Sequence, residues 1–524
     1  VRNSSGVVRL ALTGLAVAGL AVGATRVDAL GSDATVQLAQ AQGRAGLPES
    51  TDVLVRESEV LCPGPQRVGL TGLRDVAGTV TVTASAPPAA ALAEAGLAAD
   101  TSSTASTTGS TSSTGRITLG DGTSAPLGAT APDASADAAT AAKAGAVTAR
   151  PTATALVTAT ATAGLAPGLA ATQTWWRAGD DDRGLAVTPC TLPASDAWLV
   201  GGGGGPSRSE RVLVANPGGN AVSVSLEVFG AKGPVASADG RDVSVPPRSR
   251  VAVSLDALAP GETRPAVHVV ATGGVVSAVL DDAWIDGATG RGIDDSVRAA
   301  APATDLVVAG VDDDGESLVR VANPGTREAL VQVRVLTDRG PSQPEALRAV
   351  RVPAGSTADV PLALGAGRYG LRLTSDQPVL AAAWVERRQA SGADRMGDFA
   401  WAPATPAVRG LAGVQIAGAR QPGGTATLVV AAGDGGADAT VHLRSRSAAG
   451  AVTDRALPVT VGVDSVATVD VSSADEVWLS VQRGEPRAAV SVGGAVAGVP
   501  YLSVAALSSA PVTTLAVPVR QVDN

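Results

Sequence analysis

Aromatic side chains are nearly missing: among 524 residues stand seven Trp, two Tyr and two Phe. Cores must therefore be built from Val, Leu and Ala, and little material is left for a stacked aromatic platform. Histidine is as scarce, with His268 and His442 alone, so a zinc centre lacks the nitrogen ligands it would need. Cysteine is limited to Cys62 and Cys190, and neither sits in a C-x-x-C pair, which excludes a thioredoxin-like redox centre. Basic charge is outnumbered, 40 Lys and Arg against 49 Asp and Glu, for a net charge of −9. Nothing supplies the basic stripe that binding a nucleic-acid backbone requires.

Turn chemistry and short apolar alternation are what the chain has in quantity. Gly 62 and Pro 33 punctuate a sequence that is 45% hydrophobic, the pattern of a many-turned β protein. The length asks for several domains. One phrase recurs: "VLVANPGGNAVSVSLEV" from Val212 returns as "VRVANPGTREALVQVRV" from Val319, with the Asn residues 107 positions apart. "VPPRSRVAVSL" at Val245 returns as "VPAGSTADVPL" at Val352 at the same spacing. "WRAGDDDRGL" at Trp176 and "WIDGATGRGI" at Trp284 keep Trp, Gly, Arg and Gly in register. A fainter copy starts at Leu428, without the Asn-Pro pair.

Within each copy Pro217-Gly218 reads as a type II turn that Asn216 can brace through its side chain. After the turn, Val222, Val224, Leu226 and Val228 alternate with Ser223, Ser225 and Glu227, the period of a half-buried strand. Runs near Val212, Val222, Val243, Val251, Val267, Val275 and Leu306 give about seven strands per unit of roughly 108 residues, which fits a sandwich and is too long for a propeller blade. The expected fold is all-β, a tandem array of immunoglobulin-like β-sandwich domains that spans distance, after an N-terminal hydrophobic helix. The boundaries expected are 1–30 for a signal peptide or membrane anchor, then units over 48–200, 201–303, 304–408 and 409–524. The first unit carries a Ser/Thr/Ala-rich insertion at about 86–150, including "TSSTASTTGSTSSTG", whose lack of apolar period reads as disorder.

The leader points outward. Arg2 and Arg9 precede an uncharged run from Leu10 to Thr25, closed by Arg26. That run suits a signal-peptide core cut near Val22-Gly23-Ala24, and an uncleaved anchor is its rival; either exports the rest of the chain. In an exported chain Cys62 and Cys190 are expected to form one disulfide.

Chemistry is harder to place. His442 alternates onto the solvent side, while His268 is partly covered, and no G-x-S-x-G elbow accompanies them. Asp312, Asp314 and Glu316 in "DDDGES" are the calcium candidates, although they lack alternating loop ligands and also read as solvated turn charge. The clusters Asp180-Asp181-Asp182 and Asp281-Asp282 with Asp286 read the same way. Trp176, Trp284 and Trp384 recur at repeat positions, which suits packing; Trp175, on the opposite strand face, is the one ring expected to be exposed to a ligand. No cofactor is expected.

The export segment, the "LCPGP" at Leu61, and the tandem "VANPG" and "VP-x-x-S" motifs resemble a family of secreted or membrane-anchored actinobacterial proteins catalogued as a domain of unknown function. The resemblance covers most of the chain after the leader, outside the Ser/Thr insertion. It implies an extracytoplasmic place in a high-GC Gram-positive bacterium and carries over no catalytic residue. The expected function is a non-enzymatic cell-envelope scaffold or interaction array, secreted or held to the plasma membrane by its N-terminal segment, with an envelope protein or glycan as partner. A cell-wall glycan-binding set using Trp175 is the alternative. A hydrolase with a site between units is the third reading.

Overall fold

The computed structural model describes residues 51–65, 79–95, 116–120, 127–130, 146–150, 156–179, 183–204, 207–391, 395–421, 423–447 and 451–516. The expected leader at 1–30 and the triplet Asp180-Asp181-Asp182 lie outside these residues. Among the described residues no helix is long and apolar enough to cross a membrane. Two compact units are distinguished: a small one, of which residues 51–53 and 513–516 are described, and a large one, Leu54–Val512. Strand β1 (Thr51–Leu54) forms its own two-stranded sheet with the last strand, Thr513–Ala516.

The large unit is all-β. Its first sandwich comprises β2 (Glu57–Cys62), β3 (Thr79–Ser85), β4 (Arg116–Gly120), β5 (Leu127–Thr130), β6 (Ala146–Ala149), β7 (Val157–Thr162), β8 (Ala170–Ala178) and β9 (Arg183–Pro189). One sheet runs β2-β7-β4-β5 and the other β6-β3-β8-β9. The described parts of the expected disordered insertion are thus ordered: helix α1 (Ala89–Glu94) and β4, β5 and β6 all fall within it. Ile117 and Leu119 in β4 enter the core, which a composition-based reading of the surrounding Ser/Thr tract hides.

The second sandwich repeats the plan with β10 (Asp196–Val200), β11 (Arg208–Asn216), β12 (Val222–Gly230), β13 (Gly233–Val235), β14 (Val243–Val245), β15 (Ser249–Ser254), β16 (Ala266–Thr272), β17 (Ser277–Asp286) and β18 (Thr289–Ser296). Its sheets are β10-β16-β12-β13, with β14 also on β12, and β15-β11-β17-β18. Strands β10 and β18 escape the alternation rule. The sequence of β18, "TGRGIDDS", has neither an apolar period nor β propensity, because its partners are other sandwiches and not water.

The third sandwich is built from β19 (Ala303–Asp313), β20 (Glu316–Ala322), β21 (Ala329–Thr337), β22 (Gly340–Ser342), β23 (Val350–Val352), β24 (Thr357–Pro361), β25 (Gly367–Arg388) and β26 (Gly397–Pro403). Long β25 serves both sheets, its first half pairing with β19 and β21 and its second with β20 and β26. The fourth uses β27 (Leu411–Gln415), β28 (Thr425–Ala432), β29 (Ala437–Arg446), β30 (Val452–Val461), β31 (Ser465–Asp470), β32 (Glu476–Gly484), β33 (Arg487–Val496) and β34 (Val499–Ala506), in the orders β27-β32-β29-β30 and β31-β28-β33-β34. The same connectivity has been written four times.

The recurring motifs meet in space. Asn216 Nδ2 donates to the carbonyls of Asn220, Val245 and Pro246 at 2.8, 3.0 and 3.1 Å, while its Oδ1 accepts the Gly218 N–H at 2.8 Å. Asn323 repeats this pattern on Arg327, Val352, Pro353 and Gly325. The Asn therefore staples the "VP-x-x-S" turn to the end of β11 or β20. Gly218 and Gly325 do not have positive φ, so the expected type II turn is replaced by a turn closed through the Asn side chain.

The sandwiches are not strung out in a line. Apolar clusters run across every junction: Ala283 and Ile293 of the second join the first core, and Trp198 and Val200 of the second meet Phe399 and Trp401 of the third. Val429, Ala431 and Leu502 of the fourth join the third, and Leu185 and Val187 of the first join the fourth. The contacts close into a ring. Polar contacts reinforce the return junction, where Thr172 and Ser85 of the first sandwich hydrogen-bond Gln415 of the fourth at 2.8 Å each.

Candidate functional site

Strands β9, β18, β26 and β34, the last of each sandwich, pack against one another at the middle of this ring. Asp398 of β26 stands among them with 0% of its surface exposed. Its Oδ2 accepts the backbone N–H of Leu185 in β9 at 2.9 Å and of Leu502 in β34 at 3.0 Å. Its Oδ1 accepts Ile293 in β18 at 3.2 Å and its own neighbour Phe399 at 3.0 Å. One carboxylate thus gathers an N–H from all four sandwiches. Burial pushes this carboxyl well above the usual range, and the four donors pull it back. The donors fit the ionised form, because each lone-pair position already faces an N–H and a carboxyl proton would find no acceptor.

Backbone shape makes room for it. Gly184 and Gly292 have φ of +140° and +128°, a region costly for side chains. A Cβ at Gly184 would come 2.8 Å from Asp398 Oδ1, and one at Gly292 would come 2.8 Å from Asp398 Cα.

A second carboxylate group adjoins the hub. Register places Glu210 of β11 opposite Asp282 of β17, and Asp282 opposite Asp294 of β18. All three are buried. Trp401 of the third sandwich clamps the row: its backbone N–H donates to Asp294 Oδ2 at 2.6 Å and its indole N–H to Asp282 Oδ2 at 3.0 Å. Arg208 pairs with Asp282 at 3.3 Å and lies over the Trp284 and Phe399 rings at 4.8 and 5.1 Å. Burial, then the Asp282 charge, raises Glu210 to about 7, opposed by N–H groups from Gly203 and Gly204. Burial also holds Asp294 well above the carboxylate range. On the first-sandwich side, Thr188 donates to Asp295 at 2.5 Å, and Arg250, lowered to about 10 by burial, donates to the Pro63 and Pro65 carbonyls.

The residues singled out from sequence fall elsewhere. Cys62 and Cys190 form the expected disulfide, tying β2 to the residue after β9. Trp175 is 2% exposed, with Arg177 over its ring at 5.0 Å, so it is a core residue and offers no face to a ligand. Both faces of β8 are covered, one by the first core and one by the fourth sandwich, where Trp176 meets Tyr501 edge-on at 5.1 Å. Trp176, Trp284 and Trp384 all pack inward, the last two against Phe399 at 6.4 and 6.5 Å.

Asp312, Asp314 and Glu316 do not converge. Asp312 is buried and held by Arg368 at 2.6 Å, by Arg387 and by Ser491, whereas Asp314 and Glu316 are exposed. Among the described residues no three His, Cys, Asp or Glu side chains are placed to hold a metal ion. His442, expected at the surface, is 2% exposed; its Nε2 lies 3.0 Å from Ser480 Oγ and 3.4 Å from Glu94 of α1. His268 is partly covered as expected, stacked on Trp198 at 3.9 Å with Nε2 2.8 Å from Asp196. Asp281 and Asp282 are buried, not solvated turn charge. A cavity of about 420 Å³ opens between the third and fourth sandwiches, lined by Asp305, Asp434, Glu485 and Arg487 with four glycines.

Asp294 and Asp398 were missed by reasoning from sequence. Their signal was the Trp, Gly, Arg and Gly register of "WRAGDDDRGL" and "WIDGATGRGI", whose second glycines are Gly184 and Gly292. Those glycines fix the approach of the four strands, but nothing local reveals that an Asp from a third copy fills the gap.

A model described as "Family of unknown function (DUF5719)" matches residues 144–474, more than half of the chain. No curated protein matches it. Among solved structures, "Escherichia coli alpha-2-macroglobulin activated by porcine elastase" aligns at 11% identity and a TM-score of 0.10, over 86% of this chain and 43% of that one. The chain therefore spans less than half of that protein's length, and so poor a superposition carries no argument about fold or activity.

Proposed function

Because the chain belongs to the DUF5719 family, whose function is unknown, we propose from its own geometry that it is a non-enzymatic exported body, a rigid scaffold of the cell envelope that presents its outer surfaces to an envelope protein or glycan. In this reading the sandwiches are tandem immunoglobulin-like units, and the N-terminal segment directs or anchors them outside the membrane.

The observation that carries the reading is how the chemistry-bearing side chains are used. Asp398, Asp294 and Asp282 accept protein N–H groups at the ring junctions, and Trp401 and Phe399 fill the junction of the second and third sandwiches. Groups committed in this way hold modules together and are not free to turn over substrate. The Cys62–Cys190 disulfide supports an oxidising compartment.

Protease added to intact cells tests the location, and surface crosslinking tests the partnership. The reading expects degradation without lysis, a disulfide that survives thiol blocking, and crosslinks to an envelope component. Full protection in intact cells, together with free thiols at Cys62 and Cys190, overturns it.

A further inference from the structure

The junction between the second and third sandwiches contains more acid than it can ionise. Glu210, Asp282 and Asp294 are direct cross-strand neighbours, and side chains in such positions lie about 4.5–5.5 Å apart at Cβ. All three are buried, and among the described residues the ion pair the row makes is the one between Arg208 and Asp282. The other groups facing it do not offset the surplus. Asp295 and Asp398 add negative charge beside Asp294. Ser503 of β34 supplies only a hydroxyl, 3.5 Å from Asp294 Oδ1. Arg320 of β20 lies over the Trp401 ring at 4.8 Å but is itself paired with Asp359 at 2.8 Å. Three like charges cannot share a dry site with one guanidinium, and burial raises both Glu210 and Asp294, so the row holds a proton.

We propose that the Glu210–Asp282–Asp294 row is a proton-held latch, in which a proton on Glu210 takes one charge out of the row and lets Trp401 keep its grip on the second sandwich, and loss of that proton loosens it. The two N–H groups of Trp401 bind neighbouring carboxyls, so repulsion within the row acts directly on the bond between sandwiches. Burial and the Asp282 charge raise Glu210 to about 7, so its proton is lost near neutrality. A carboxyl raised in the folded state keeps its proton where the unfolded chain has already released it. The closed ring is therefore favoured at acid pH, and that advantage is lost as the pH climbs from the ordinary Glu range to about 7.

The test is the melting temperature of the full chain and of Glu210→Gln across this range. Gln keeps an acceptor for Gly203 and Gly204 and cannot ionise. The variant is expected to gain about 3 °C on the wild type between about pH 5 and pH 8, with no further gain above. Parallel pH profiles for the two proteins overturn the latch. Infrared titration of the unmodified protein gives a reading that does not depend on the variant folding. A buried protonated-carboxyl band that fades through neutrality supports the proposal, and its absence at acid pH overturns it.

Discussion

Replacing Asp398 by Ala removes the acceptor on which all four sandwiches converge. The N–H groups of Leu185, Ile293 and Leu502 are then left in an interior that cannot solvate them. Each orphaned buried donor costs about 1–3 kcal/mol, hence roughly 3–9 kcal/mol for the three. With unfolding entropy near 2.1 cal/mol/K per residue, a unit of roughly 450 residues loses about 3–9 °C in melting temperature. Asp398→Asn is the sharper variant, because it preserves shape while turning one acceptor oxygen into a donor that faces two N–H groups. It is expected to lose at least half as much as the alanine variant. Differential scanning calorimetry reads both, with Asp314→Asn at an exposed position as a control expected to leave the melt unchanged. If Asp398→Asn melts within about 1 °C of the wild type, the hub is not an ionised acceptor and the reasoning fails.

Asn216→Ala breaks four hydrogen bonds that staple two turns, costing about 2–4 kcal/mol, and Asn323→Ala should match it in the third sandwich; urea unfolding measures both. The Cys62→Ser, Cys190→Ser double variant opens a 128-residue loop and is expected to lose about 4–5 kcal/mol, read by the same method. Burial lowers His442, against the pull of Glu94 and Asp454, so the unfolded chain takes up that proton first. Stability is therefore lost as the pH falls from the usual His value of 6.5 toward the lowered one, and His442→Gln should flatten that decline in a pH series of melting temperatures.

The sequence by itself determined the alternating strands around the recurring phrase, their repeat and the disulfide. Val222, Val224, Leu226 and Val228 are buried while Ser223 and Ser225 face outward, as a period of two requires, because a strand's own geometry assigns each side chain to a face. The Asn and the "VP-x-x-S" segment recur at one spacing because they touch, although the turn they make is closed by the side chain and not by a glycine φ. Only the tertiary structure decided what lies beyond each outward face. The strand face carrying Trp175, the pair Asp281-Asp282 and His442 read as solvent-facing or as turns from local pattern, yet each is buried. Alternation distinguishes two faces of a sheet but cannot say whether the polar one meets water or another sandwich. Asp398 owes its role to three strands that lie 104 to 213 residues away along the chain, and no local pattern encodes that meeting.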